Sequence, residues 1–312
     1  MGIFYKSFNS TRSFGIEIEL SDTITRDSII DFIKKNSNRN AVIRQISNNN
    51  RSWHVKIDNT CGIISDNGWE IASYVGRNNK DLVHIASVID DIKTIGAETN
   101  RECGFHIHVG VDDFSVDEMG LLLIYWAKIE NVIRKALPKH RKNNNYCCHL
   151  SSIFRTIIGN NFRKKKCNPA AIYTDLVTFF EEEGEILDLR YYSVNIVNFH
   201  LATYEGCNRC TVELRFPEST LNARDIINWV RLFVSFVDNV KRRLVHCPIP
   251  NLSCLDLKES MSVLGLNHDN NFYIFSPSLN DVRKWFLDRV MAFSKLEEAK
   301  KTKRFIFPNL NN

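Results

Sequence analysis

Five stretches of the chain alternate apolar and polar residues with the period of a β-strand, in which successive side chains point to opposite faces. In FGIEIEL (14–20), Phe14, Ile16, Ile18 and Leu20 share one side, and Gly15, Glu17 and Glu19 share the other. WHVKID (53–58) sets Trp53, Val55 and Ile57 against His54, Lys56 and Asp58, and GWEIAS (68–73) sets Trp69 and Ile71 against Glu70. GFHIHVGV (104–111) alternates Phe105, Ile107, Val109 and Val111 with His106, His108 and Gly110, and TVELRF (211–216) alternates Val212, Leu214 and Phe216 with Thr211, Glu213 and Arg215. Between these runs, helical spacing predicts helices over 80–95, from a Ser115–Glu118 capping box to Leu137 before Pro138, and over roughly 223–244 behind Asn222. The pattern predicts an α+β fold in which helices cover the apolar face of an antiparallel sheet and the other face is free to form a polar cleft. After a break at Cys247–Pro250 comes a helix near 280–300, so the chain is expected to divide into a main unit over 1–245 and a helical accessory segment over 246–312.

Composition supports this without adding a function. With 312 residues and 44% hydrophobic residues, the chain can bury a full core. The N-terminus shows neither the basic start and apolar run of a signal peptide nor a myristoylation pattern, and no apolar run approaches the ~18 residues of a membrane span. A cytoplasmic protein is expected, with its nine cysteines as reduced thiols.

Charge is unevenly spread. The net charge is +5, yet no acidic residue lies between Glu130 and Asp175, a segment that carries Arg134, Lys135, Lys139, Arg141, Lys142, Arg155, Arg163, Lys164, Lys165 and Lys166. This basic insertion near 134–166 reads either as a solvated loop or as a site for an anionic substrate or nucleic acid.

The polar strand positions carry the chemistry. Glu17 and Glu19 lie roughly 7 Å apart on one side of a strand, where two ionised carboxylates repel each other unless a cation lies between them. Glu70, His106, His108, Glu213 and Arg215 share the same parity on the other strands, which argues for one common surface. Oxygen-rich ligands with few thiols favour Mg²⁺ or Mn²⁺ over zinc, and an arginine beside them suits a phosphate or carboxylate. Two rival readings use part of this set. A metal-dependent hydrolase would use the His106-x-His108 strand, and a non-catalytic nucleic-acid-binding protein would use the basic insertion. Cys207 and Cys210 read as free thiols or as half a zinc site completed by Cys147, Cys148 or His149.

FGIEIEL, WHVKIDNTCG followed by GWEIAS, GFHIHVG, and RYYSVNIVNF leading into TVELRFPESTLN together resemble the ordered motifs of the amidoligase family, over residues 13–240. That family belongs to the carboxylate-amine ligase superfamily with the glutamine synthetase-like fold. The resemblance implies a curved antiparallel sheet, an ATP- and Mg²⁺-dependent, ADP-forming reaction through an acyl phosphate, and an amide bond joining a small-molecule or peptide carboxylate to an amine. It also implies Glu17, Glu19, Glu70, His106 and Glu213 as metal ligands, His108 and Arg215 against the nucleotide phosphates, and substrate contact from Arg190, Tyr192 and Asn195. Asp58 is the candidate to orient the amine or take its proton, with a strand-end turn role as the alternative.

Overall fold

The computed structural model describes residues 10–37, 41–42, 52–62, 67–142, 144–153, 157, 168–183, 186–243, 256–266 and 279–306. Seven strands, β1 (Phe14–Leu20), β2 (Ala41–Val42), β3 (Trp53–Asp58), β4 (Gly68–Ala72), β5 (Phe105–Gly110), β6 (Val194–Asn195) and β7 (Thr211–Leu214), form one open sheet in the order β2-β3-β4-β1-β5-β7-β6. The short β2 pairs parallel with β3, and every other pairing is antiparallel.

The apolar parity of the strands forms the core, with Phe14, Ile16, Ile18, Val55, Ile71, Phe105, Ile107, Val109, Val212 and Leu214 all buried. Burying such side chains contributes about 1.5–3 kcal/mol each, so the alternation itself fixes which face turns inward. Helices α1 (Arg26–Ser37), α2 (Asn79–Asp91), α3 (Val116–Arg134), α4 (Lys139–Lys142), α5 (Pro169–Glu183), α6 (Val197–Tyr204) and α7 (Ala223–Arg243) follow in chain order. The long α7 buries Ile226, Ile227, Val230, Phe233, Val237 and Val240 and packs on β5, α2 and α3. Helices α8 (Leu257–Val263) and α9 (Asn280–Ile306) complete the described chain. The start of α9 is tied to α7: Trp285 meets Trp229 edge-on at 4.8 Å and donates its indole N–H to Asp225. The expected break at Cys247–Pro250 lies outside the described residues.

Boundaries follow local chemistry. Asn78 caps α2 by accepting from the N–H groups of Lys80 and Asp81, and Ser115 and Glu118 form a reciprocal capping box at α3. The helix expected over 80–95 splits into α2 and a 3₁₀ turn at Ile92–Ile95, ended by Gly96 at φ 88°. Helix α3 stops at Arg134 rather than Leu137, because Lys135, Ala136 and Leu137 turn their N–H groups to carbonyls only three residues back as the chain nears Pro138. Ile57 departs from its parity. Although it belongs to the apolar side of β3 it is 53% exposed, since β2 pairs only with Trp53 and His54 and leaves that end of the strand uncovered. Helices α1, α4, α5, α6 and α8 and the two-residue strands β2 and β6 are additions to the elements that the pattern predicts.

Among the described residues no helix is long and apolar enough to cross a membrane.

Candidate active site

Register converts the polar parity into a grid. Glu17 stands opposite Ala72 on β4 and His106 on β5, Glu19 opposite Glu70, and His108 opposite both Gly15 and Glu213. Lys56 on β3 pairs with Glu70, and Asn195 on β6 pairs with Glu213. Arg215 lies one residue beyond β7, anchored by its N–H to the Ser193 carbonyl, and its side chain stays on the same face. Four carboxylates, two imidazoles and two cations therefore crowd one surface because β1, β3, β4, β5 and β7 each deliver their polar parity to it.

The contacts are short. His106 lies at the centre, 3.3 Å through Nδ1 from Glu17, 3.3 Å through Nε2 from Glu19 and 3.5 Å from Glu213. His108 Nε2 is 3.5 Å from Glu17. The Arg215 guanidinium donates to Glu213 Oε1 at 2.5 Å, and Asn195 donates to its Oε2 at 2.6 Å. Glu19 Oε2 accepts the Gly104 N–H and the Cys61 thiol.

Protonation follows from this crowding. Burial favours the neutral form of Glu17, but the charge of His108 and hydrogen bonds from both imidazoles outweigh it and hold the carboxyl well below its usual range. Burial opposes the charge on His108, yet Glu17 and Glu213 raise it to about 9, so it is an imidazolium at neutral pH. Glu213 is lowered in the same way against burial, by His108, Arg215 and His106. Glu70 is the exception: burial and the negative charge of Glu17 push it up to about 8, with Lys56 opposing. The Lys56 ammonium, 2.7 Å away, is itself pushed up to about 12, because Glu17, Glu70 and Glu213 outweigh the effect of its burial. The two shifts pull opposite ways on one pair, since a raised Glu70 favours the neutral acid and a raised Lys56 the charged pair. Lys56 holds its charge throughout, and Glu70 is the carboxylate whose ionisation the protein secures least.

A cleft of about 490 Å³ opens beside the cluster, within the size range of ligand pockets, roughly 300–1,000 Å³. Its floor has almost no side chains at Gly15, Ala72 and Gly110, while Glu17 and His108 enter from the cluster. Lys56, Arg77 and Arg209 lend it positive charge.

Other expected residues are placed as follows. Asp58 ends β3 as an Asx turn, accepting from the N–H and hydroxyl of Thr60, and one of its oxygens also lies within 4.8 Å of ligand atoms of Glu19 and Cys61. Asn195 joins the cluster, whereas Arg190 is exposed with its guanidinium over the Tyr191 ring, and Tyr192 packs edge-on against Phe180. The first half of the basic segment is largely interior. Arg134 is buried against Glu130 and the carbonyls of Arg141, Lys142 and Cys147, and Arg141 is buried on the carbonyls of Arg215 and Phe216. Arg155, Arg163, Lys164, Lys165 and Lys166 lie outside the described residues. Cys207 is exposed, Cys147 is buried, and the thiols and imidazole of Cys147, Cys148 and His149 face backbone carbonyls.

Lys56 and Arg141 enter the site without having been singled out from the sequence. The polar parity of WHVKID was the signal for Lys56. Nothing local in the sequence signals Arg141, which reaches the sheet because Gly104 has no side chain. A Cβ at Gly104 would lie 3.1 Å from His106 Nε2 and 3.2 Å from both Arg141 Nη2 and Glu19 Oε2.

The donor set fits a hard divalent cation. Glu17, His108 and Glu213 offer ligand atoms within 4.8 Å of one another, and His106 Nδ1 lies 3.3 Å from Glu17 and 3.5 Å from Glu213. Arg215 Nε is buried without a hydrogen-bond partner among the described residues, which leaves it as a donor for a bound anion.

No curated protein matches the chain. A family model described as "Putative amidoligase enzyme" matches residues 10–237, which takes in the whole sheet, every residue of the cluster and most of α7. On this match, together with the ordered strand motifs that build its polar face, the chain belongs to the amidoligase family.

Proposed function

We propose that the protein is an ATP- and Mg²⁺-dependent carboxylate-amine ligase of glutamine synthetase-like fold that forms an amide bond through an acyl phosphate and releases ADP. The observation that carries this reading is the meeting of Glu17, His106, His108, Glu213 and Arg215 on one sheet face beside a cationic cleft.

Glu17, His106 and Glu213 would hold one divalent ion, and Glu19 and Glu70 a second. Such ions, when bound, lower the repulsion between the terminal phosphoryl group and an incoming carboxylate. The protein's own groups do the rest. The glycine-floored cleft admits the nucleotide, and the His108 imidazolium faces its phosphates. Arg215, oriented by Glu213 and with its Nε uncommitted, stabilises charge on the transferring phosphoryl group. An oxygen of the substrate carboxylate attacks phosphorus as the bond to ADP breaks. The amine nitrogen then attacks the acyl carbon, phosphate departs with the electrons of the carbon–oxygen bond, and Asp58 takes the proton lost by the amine.

The test is to incubate the protein with Mg²⁺, ATP and a panel of amino acids and amines while separating the nucleotides. The reading expects ADP and phosphate in amounts equal to the amide formed, and AMP with pyrophosphate would overturn the acyl-phosphate route.

A further inference from the structure

Of the two cations in the cluster, Arg215 does not line the cleft and Lys56 does. Its ammonium sits 2.7 Å from Glu70 Oε1 while its side chain remains 54% exposed and lines the cleft. Glu70 is buried, and once ionised it requires a compensating charge. Lys56 supplies it from a side chain that stays half exposed. The contrast with Arg215 is plain: that guanidinium is mostly buried and donates to Glu213 at 2.5 Å. A flexible four-carbon stem carrying a compact point charge can move where a fixed fork cannot.

Charge balance gives the movement a direction. Glu19 stands opposite Glu70 in the register, so Lys56 occupies the place beside a carboxylate pair where a divalent ion would be held. An ammonium and a divalent cation on one carboxylate repel each other at a distance where little solvent screens them. The nearest open space for the displaced side chain is the cleft it already lines, where Arg77 and Arg209 mark a place for an anion.

We propose that Lys56 is an exchangeable counter-ion, which occupies the cation position at Glu70 while no divalent ion is bound and passes to the phosphate groups of the ligand in the cleft once an ion takes its place. This rests on the ligase reading for the identity of the two ligands, a divalent ion and a nucleotide.

The exchange predicts effects of opposite sign from one substitution. Wild type, Lys56→Gln and Lys56→Arg are titrated with Mn²⁺ alone, following free Mn²⁺ by electron paramagnetic resonance, and then, with Mn²⁺ saturating, with a non-hydrolysable ATP analogue by calorimetry. Lys56→Gln should bind Mn²⁺ roughly fivefold more tightly and the analogue roughly fivefold more weakly, the size expected for one partly exposed charge pair. Lys56→Arg should retain analogue binding. If Lys56→Gln moves both affinities in the same direction, or neither, while wild type binds both ligands, the exchange is wrong and the ligase reading stands. If wild type binds neither Mn²⁺ nor the analogue, both fall together.

Discussion

Glu70 and His108 show how a single residue's ionisation should be visible in the stability of the protein. Folded Glu70 keeps its proton up to about 8, whereas the ordinary value is 4.5, so between those values the folded state binds more protons than the unfolded one and stability falls as pH rises. His108, raised from 6.5 to about 9, contributes stability that is complete below pH 6.5 and lost as pH climbs through 9. With a chelator present, denaturant unfolding at pH 6.5 and pH 9 should therefore show wild type weaker at the higher pH. Glu70→Gln and His108→Gln should each flatten part of that slope, and a profile that rises over the interval would refute the assignment. Cys207 and Cys210 make the opposite case. Exchanging both for serine should leave Mg²⁺-dependent turnover and the melting temperature unchanged, since neither thiol enters the cluster of bond-making groups. Stoichiometric zinc in the purified protein, together with unfolding of the double variant, would reverse that view.

At the scale of elements, the five longer strands were readable from the sequence, and the two-residue strands β2 and β6 and the connections were not. Period-2 alternation in FGIEIEL, WHVKID and GFHIHVG placed Glu17, Lys56, His106 and His108 on one parity before any pairing was known, because an inward-facing apolar side leaves no freedom to the other side. Which parities lie side by side depends on register and strand order, and these are set by long-range pairing that no local pattern encodes. The same limit explains the basic segment. Its composition suggested either a solvated loop or an anion-binding site, yet Arg134 is tied down by Glu130, which also accepts from Ser193 Oγ at 2.5 Å and from the backbone N–H groups of Leu150 and Ser151. Removing one partner of such a buried pair strands the other, so Arg134→Ala should cost about 3–5 kcal/mol in chemical denaturation. A loss below about 1 kcal/mol, the range of an exposed pair, would return Arg134 to the surface. Helix packing offers an independent check on α3 and α5. At Gly120 a Cβ would come 1.9 Å from the Pro169 carbonyl oxygen, so Gly120→Ala should destabilise by about 1–3 kcal/mol through overpacking, although alanine is the better helix former.

For the molecule as a whole, one sheet does two jobs with its two faces. The apolar face, packed against α7, which α2 and α3 flank and α9 braces, supplies the floor. The polar face then keeps like charges closer together than they would remain on a flexible chain. That arrangement should make the folded state strongly dependent on what binds there, because anything that binds only the native protein stabilises it by mass action. The measurement that tests this most directly is a pair of thermal melts, of wild type and Glu17→Gln, each with and without saturating Mg²⁺-ATP. Wild type should gain a clear rise in melting temperature. The variant, lacking one charged ligand at nearly constant volume and leaving the His108 imidazolium short of its partner, should start at a lower temperature without ligand and gain much less with it. Equal ligand-induced shifts in the two proteins would mean that Glu17 holds no ion, and the polar face would lose its role as the ligase centre.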